Sequence, residues 1–186
     1  MGLSREQGFA LLQEHVKNPN MIKHCLASEA VLGALAEHLG EGRDKWSMAG
    51  LLHDLDVEIT NADLRVHGLE TVKILEGRGL DPEIIEAIGL HNEQSAGRKR
   101  STRFHHALAA GETITGLIIA TALVYPDKKL ASVKPKSIVK RMKEKAFAAS
   151  VDRDIIRECE QIPIPLQEFA EICLKAMQSI SDDLGL

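Results

Sequence analysis

Residues 51–56 read LLHDLD, and this hexapeptide restricts the fold more than any other stretch of the chain. It sets an imidazole and two carboxylates at the end of an apolar segment. Such groups are costly to remove from water unless hydrogen bonds or an ion take the place of the solvent. The fold must therefore carry further polar groups to this point from elsewhere. A metal ion is the usual partner of histidine and carboxylate together.

The material for that fold is helical. Only 3% of the residues are aromatic, so the core has to be built from Leu, Ile, Ala and Val, which favours helices over a β-sandwich. Ser4 with Gln7 reads as a capping box opening a first helix. Helices follow over about 19–38, stopped by Gly40, over 44–55, which contains the hexapeptide, and over 66–76. Asp81 and Pro82 form an N-cap and first helical position for a helix to about residue 91. Further helices are predicted over 102–124, 137–148, 152–160 and 165–184. The expectation is an all-α bundle of eight or nine helices without significant sheet. Its 186 residues suit a single domain, with a core over about 19–125 and a helical extension over 126–186.

The N-terminal residues lack the basic-then-apolar pattern of a signal peptide, and Glu6 stands where a myristoylation signal needs Ser or Thr. The most apolar segment, 116–125, is too short to span a bilayer. The three cysteines, Cys25, Cys159 and Cys173, are far apart with no C-x-x-C, as in reduced thiols of a cytoplasmic protein. A cytoplasmic location and no membrane partner are expected; oligomeric state is left open.

Net charge is −4, but its sign is unevenly spread. Residues 98–145 hold 12 of the 23 basic residues and only three acids, Glu112, Asp127 and Glu144. A solvated basic face is one reading, and a positive wall for a phosphorylated ligand is the other. With one Trp and one Tyr there is little to stack on bases, and the acidic balance also disfavours bulk nucleic acid. No P-loop is present.

Of eight histidines, His15 and His38 lie among charges near predicted helix ends and are read as structural or solvent-facing. Adjacent on a helix, His53 and Asp54 would diverge by about 100° and grip a cation from two directions. His24, His67, His91 and Glu112 are the candidate donors on other helices, as in bundle-core metal sites. Asp56 and Glu58 are read as ligand-orienting or proton-handling groups, or as solvated acids. Lys23, Lys134, Lys136 and Lys140 are candidates for binding phosphate oxygens, and His105, on the face of Glu112, for contacting substrate.

In this order, His24, the His53–Asp54 pair, His67, His91 and a late helical carboxylate resemble the HD-domain superfamily of metal-dependent phosphohydrolases. LLHDLD, HGLETVKIL, EAIGLHNE and GETITGLIIATAL are similar to the small HDIG-type hydrolases within it. The resemblance covers about 21–125 and continues through KPKSIVKRMKEKAFAASVDRD toward the C-terminus. It implies that His24, His53 and Asp54 ligate a principal ion, with Glu112 where the family usually has Asp. In dinuclear members Asp54 would bridge to a second ion on His67 and His91. Asn92 stands where those members commonly have a second histidine.

Mixed imidazole and carboxylate donors suit one or two ions of Mn, Fe, Co, Ni or Zn. An ion that acidifies water and polarises a phosphoryl oxygen makes hydrolysis of a phosphomonoester or phosphodiester the natural reaction, with His53 and Asp54 at its centre. The substrate expected is a nucleotide or another small phosphorylated metabolite. A dinuclear-iron oxygenase on the same scaffold and a non-catalytic regulatory domain are the alternatives.

Overall fold

The computed structural model describes residues 2–186. Eleven α-helices and two 3₁₀ turns, and no strand, occur among the described residues. Local chemistry explains most boundaries. Helix α1 (Arg5–His15) opens on the capping box of Ser4 and Gln7, with Ser4 Oγ accepting from the Gln7 amide. Helix α2 (Pro19–Leu39) starts behind the Asn18 N-cap and stops at Gly40, whose φ of 72° closes the C-terminus. Helices α3 (Arg43–Leu52), α4 (Leu69–Leu75) and α5 (Pro82–Leu90) follow, the last capped by the Asp81 carboxylate. After the single turn of α6 (Glu93–Ala96), α7 (Arg103–Leu123) runs through the middle of the molecule. The remaining helices are α8 (Pro135–Arg141), α9 (Arg153–Arg157), α10 (Leu166–Gln178) and α11 (Ser181–Leu184).

Helix α2 packs most extensively on α3 and α7, and α10 lies across α2. The α2–α3 contact is close because Gly50 has no side chain: a Cβ there would sit 2.5 Å from the Ser28 carbonyl oxygen. One turn earlier on α3, Trp46 stacks on Phe104 of α7 with ring centroids 4.9 Å apart. Helix α7 has the length and apolarity of a membrane-crossing helix, but 61% of that window is buried inside the fold, as in a central core helix. Leu108, Ile114, Leu117 and Ile118 are fully buried in one cluster with Leu32, Leu35 and Leu52.

Several boundaries differ from expectation: the helix predicted over 152–160 gives way to a 3₁₀ turn after Arg157, that predicted from 137 starts at Pro135, and four others have a local cause. The helix predicted over 44–55 ends at Leu52, because the His53 imidazole takes the Gly50 carbonyl at 2.9 Å and residues 53–62 form turns. The helix predicted from 66 begins at Leu69, since Gly68 adopts φ 95° and breaks helical propagation. The helix predicted over 137–148 stops at Arg141, beyond which Arg153 donates to the carbonyls of Phe147, Ala148 and Val151 and holds a loop. Finally, the predicted 165–184 helix divides between α10 and α11, where the Ser179 hydroxyl donates to the Ala176 carbonyl in competition with backbone hydrogen bonding.

Candidate metal centre

The turn after α3 turns the hexapeptide inward. His53 is fully buried, Asp54 is 6% exposed, and the His53 Nε2 to Asp54 Oδ1 distance is 3.4 Å. The expected divergence around a helix axis therefore does not occur, because the two residues lie beyond the helix and point at one centre. Helix α2 contributes His24, the turn before α4 contributes His67, the C-cap of α5 contributes His91, and α7 contributes Glu112.

These side chains form two adjoining groups whose ligand atoms lie within 4.8 Å of one another: His24, His53 and Glu112, then Asp54, His67 and His91. Asp54 faces both groups. Its Oδ2 is 3.5 Å from His24 Nε2, and its Oδ1 is 3.1 Å from His67 Nε2 and 3.6 Å from His91 Nε2. Glu112 Oε2 stands 3.7 Å from His24 Nε2, so the longer side chain reaches the centre.

Each imidazole is held by its other nitrogen. Nδ1 of His24 meets Thr115 Oγ1 at 2.9 Å, that of His53 the Gly50 carbonyl at 2.9 Å, and that of His91 the Ile88 carbonyl at 2.6 Å. His67 Nδ1 lies 2.7 Å from Asp56 Oδ1. Anchoring of this kind orients the ring and leaves Nε2 as the ligand atom. The Nε2 atoms then face one another in pairs, His24 with His53 at 3.1 Å and His67 with His91 at 3.0 Å. Two nitrogens each about 2.1 Å from one ion, set at roughly a right angle, would be separated by about 3 Å. The donor types and their spacing therefore fit a bound metal ion.

Without an ion the groups settle their charges internally. Burial pushes the partly exposed His24 and the buried His91 down to about 4. Burial also opposes the charge on His67, yet the Asp54 and Asp56 carboxylates raise it to about 10. Burial would lift Asp54 as well, but the surrounding imidazoles, His53 foremost, hold it well below the usual carboxylate range. Glu112, desolvated and close to Asp54, is pushed up to about 8.

Other expected residues sit elsewhere. Asp56 is fully buried, not a solvated acid: besides His67 it accepts from the amides of Gly68 at 2.7 Å and Thr71 at 3.2 Å. Glu58 accepts from the amides of Lys17 and Asn18 and secures the start of α2. The Asn92 amide donates to the carbonyls of Leu64 and His67, and its oxygen caps α6, so Asn92 shapes the loop instead of replacing an imidazole ligand. His105 closes the capping box of α7, its ring accepting from the amides of Ser101 and Thr102. Lys23 Nζ lies beside Gly185 at the end of α11. Lys134 and Lys136 are exposed around the start of α8, and Lys140 lines a separate shallow cleft with Tyr125 and Arg141. None of these four lysines lines the cleft that reaches the centre.

The cleft that does reach the centre has a volume of about 640 Å³ and is lined by Asp54, His67, His91 and Glu112 together with Arg98, Lys99 and Arg100. Those three cations are the part of the site that sequence reasoning missed; they belonged to the basic stretch, but nothing local separated them from its other lysines.

A family model described as HD domain matches residues 21–124. No curated protein and no solved structure matches the chain. The matched span runs from the start of α2 to the end of α7 and contains all six converging side chains. The chain belongs to the HD-domain family.

Proposed function

We propose that the protein is a metal-dependent phosphohydrolase that cleaves a small phosphate ester. The carrying observation is Asp54, which has one oxygen near His24 and the other near His67 and His91, at the floor of an open cleft. His24, His53 and Glu112 would hold one ion, His67 and His91 a second, and Asp54 both. An ion bound there supplies Lewis acidity toward a phosphoryl oxygen and makes water acidic enough to serve as a nucleophile near neutral pH.

The protein's own groups provide the rest. Asp56 keeps the His67 ring turned inward, and the Gly50 and Ile88 carbonyls do the same for His53 and His91. Arg98 and Lys99 line the cleft, paired with Glu86 at 2.8 Å and Glu93 at 2.7 Å, and a phosphate could compete with those carboxylates for them. No Phe, Tyr or Trp lines this cleft among the described residues, so a nucleobase would pack only on Leu64 and Ile155. This composition favours a small phosphorylated metabolite at least as much as a nucleotide.

Elemental analysis of purified protein, combined with a screen of phosphomonoesters, phosphodiesters and nucleotides, tests the reading. Retained Mn, Fe, Co, Ni or Zn and a turnover that falls about a hundredfold or more in D54N are expected. Full metal content and turnover in both H53A and D54N would sink it. Tightly held iron with an oxygen-sensitive spectrum and no phosphatase activity would favour the oxygenase alternative.

A further inference from the structure

Helix α5 ends at Leu90, so the carbonyls of Leu90 and His91 lack the amide partners that a continuing helix would provide. Both are taken by one side chain: Arg100 Nη1 donates to Leu90 O at 2.9 Å and to His91 O at 3.1 Å. The other edge of the guanidinium forms a fork with Glu158, Nε to Oε2 at 2.7 Å and Nη2 to Oε1 at 2.6 Å. The Arg100 side chain is only 4% exposed, and its own amide donates to Glu93 Oε1 at 2.8 Å. Glu158 also meets His106 Nδ1 on α7 at 2.7 Å.

We infer that Arg100 is a positioning residue for the His67–His91 half of the metal centre, held to its task by Glu158 from the C-terminal segment. The inference rests on the paired-ion reading above. The His91 ring and amide are both held by Ile88 O, its carbonyl is held by Arg100, and a shift of the C-cap carries Nε2 away from His67. Glu158 lies outside the matched family span, so segment 158–161 completes a site whose ligands all lie in α2–α7 and the turns between them. A lysine cannot substitute: its single ammonium cannot span two carbonyls and a carboxylate as a planar fork does.

Metal-free full-length protein would be titrated with Mn(II) by calorimetry, with electron paramagnetic resonance reporting exchange coupling between two bound ions. R100K and E158Q are compared with wild type and with R103K, which alters a surface pair between Arg103 and Glu41. Loss of outer contacts to a ligand typically weakens metal binding by about 10–100-fold. The expected result is that loss confined to the second ion in R100K and E158Q, with the coupling signal gone and the first ion within about threefold of wild type. Two ions bound at wild-type affinity in both variants, even with a lower melting temperature, would show a structural staple only and overturn the inference. Equal weakening of both ions would overturn it too. A wild-type chain that takes up a single ion removes the paired-ion reading itself, and this inference with it.

Discussion

Asp56 shows how much of the site depends on groups that are not candidate ligands. Its two oxygens hold the His67 ring and the amides of Gly68 and Thr71, which together form the turn carrying His67 into the site. Asn in its place keeps one acceptor but loses the charge that supports the imidazole. D56N is expected to weaken binding at the His67–His91 half by about 10–100-fold, measured by titrating metal-free protein. Proton release makes a second residue-scale prediction. With His67 at about 10 and Glu112 at about 8, both hold a proton at neutral pH in the metal-free chain. Ligation must expel those protons, so loading at pH 7 should release about two of them, and affinity should rise as pH increases through 8. Calorimetry in buffers of different ionisation enthalpy measures the number. An affinity independent of pH from 6 to 9 would contradict the assignment.

At the scale of elements, the approach of α2 to α3 sets the distance between His24 and His53. Gly50 permits it, since an added Cβ would meet the backbone of Ser28 and Glu29 at 2.5–2.9 Å, and backbone cannot swing aside as a side chain does. G50A should therefore cost about 1–3 kcal/mol in chemical denaturation, as overpacking does. It should also weaken metal binding at the His24 half, which separates this effect from loss of stability alone. Gly68 has a comparable role in the turn before α4, where φ is 95° and a Cβ would stand 3.2 Å from the His91 ring. Most helix starts were legible because capping acts within four residues: Ser4, Asp81 and Thr102 each bond the amide two or three positions on. The ends at Leu52 and Arg141 were not: the buried His53 ring takes the Gly50 carbonyl, and Arg153 holds the carbonyls of Phe147, Ala148 and Val151 in the loop after α8.

For the whole molecule, the metal centre is also a cross-link. Its donors come from α2, α7 and the connections around α3, α4 and α5, so binding to the folded state alone should stabilise all of them together. At a free metal concentration a hundred times the dissociation constant, the gain is about 2.7 kcal/mol. For a chain of this size that raises the melting temperature by about 5–10 °C. Differential scanning calorimetry of loaded and chelator-treated protein tests this, and equal melting temperatures would argue against ligation by the folded site. Helices α8, α9 and α10 pack on α7 or α2, and Ile138, Ile156 and Phe169 are buried in the same cluster as the centre of α7. Removing residues 126–186 is therefore expected to abolish cooperative unfolding instead of leaving an independent core.

The sequence by itself determined the helical class, most helix starts and the kinds of donor atom available, because capping, proline geometry and aromatic scarcity act locally or in bulk. Tertiary structure decided which charges matter. It turned Asp56 inward, gave Asn92 and His105 to loop and cap, left Lys134, Lys136 and Lys140 out of the lining of the cleft, and set Arg100 against the backbone of His91. The physical reason is range: a cap reaches four residues, whereas Arg100 and Glu158 are 58 apart and meet only when α7 and the segment after α9 have packed.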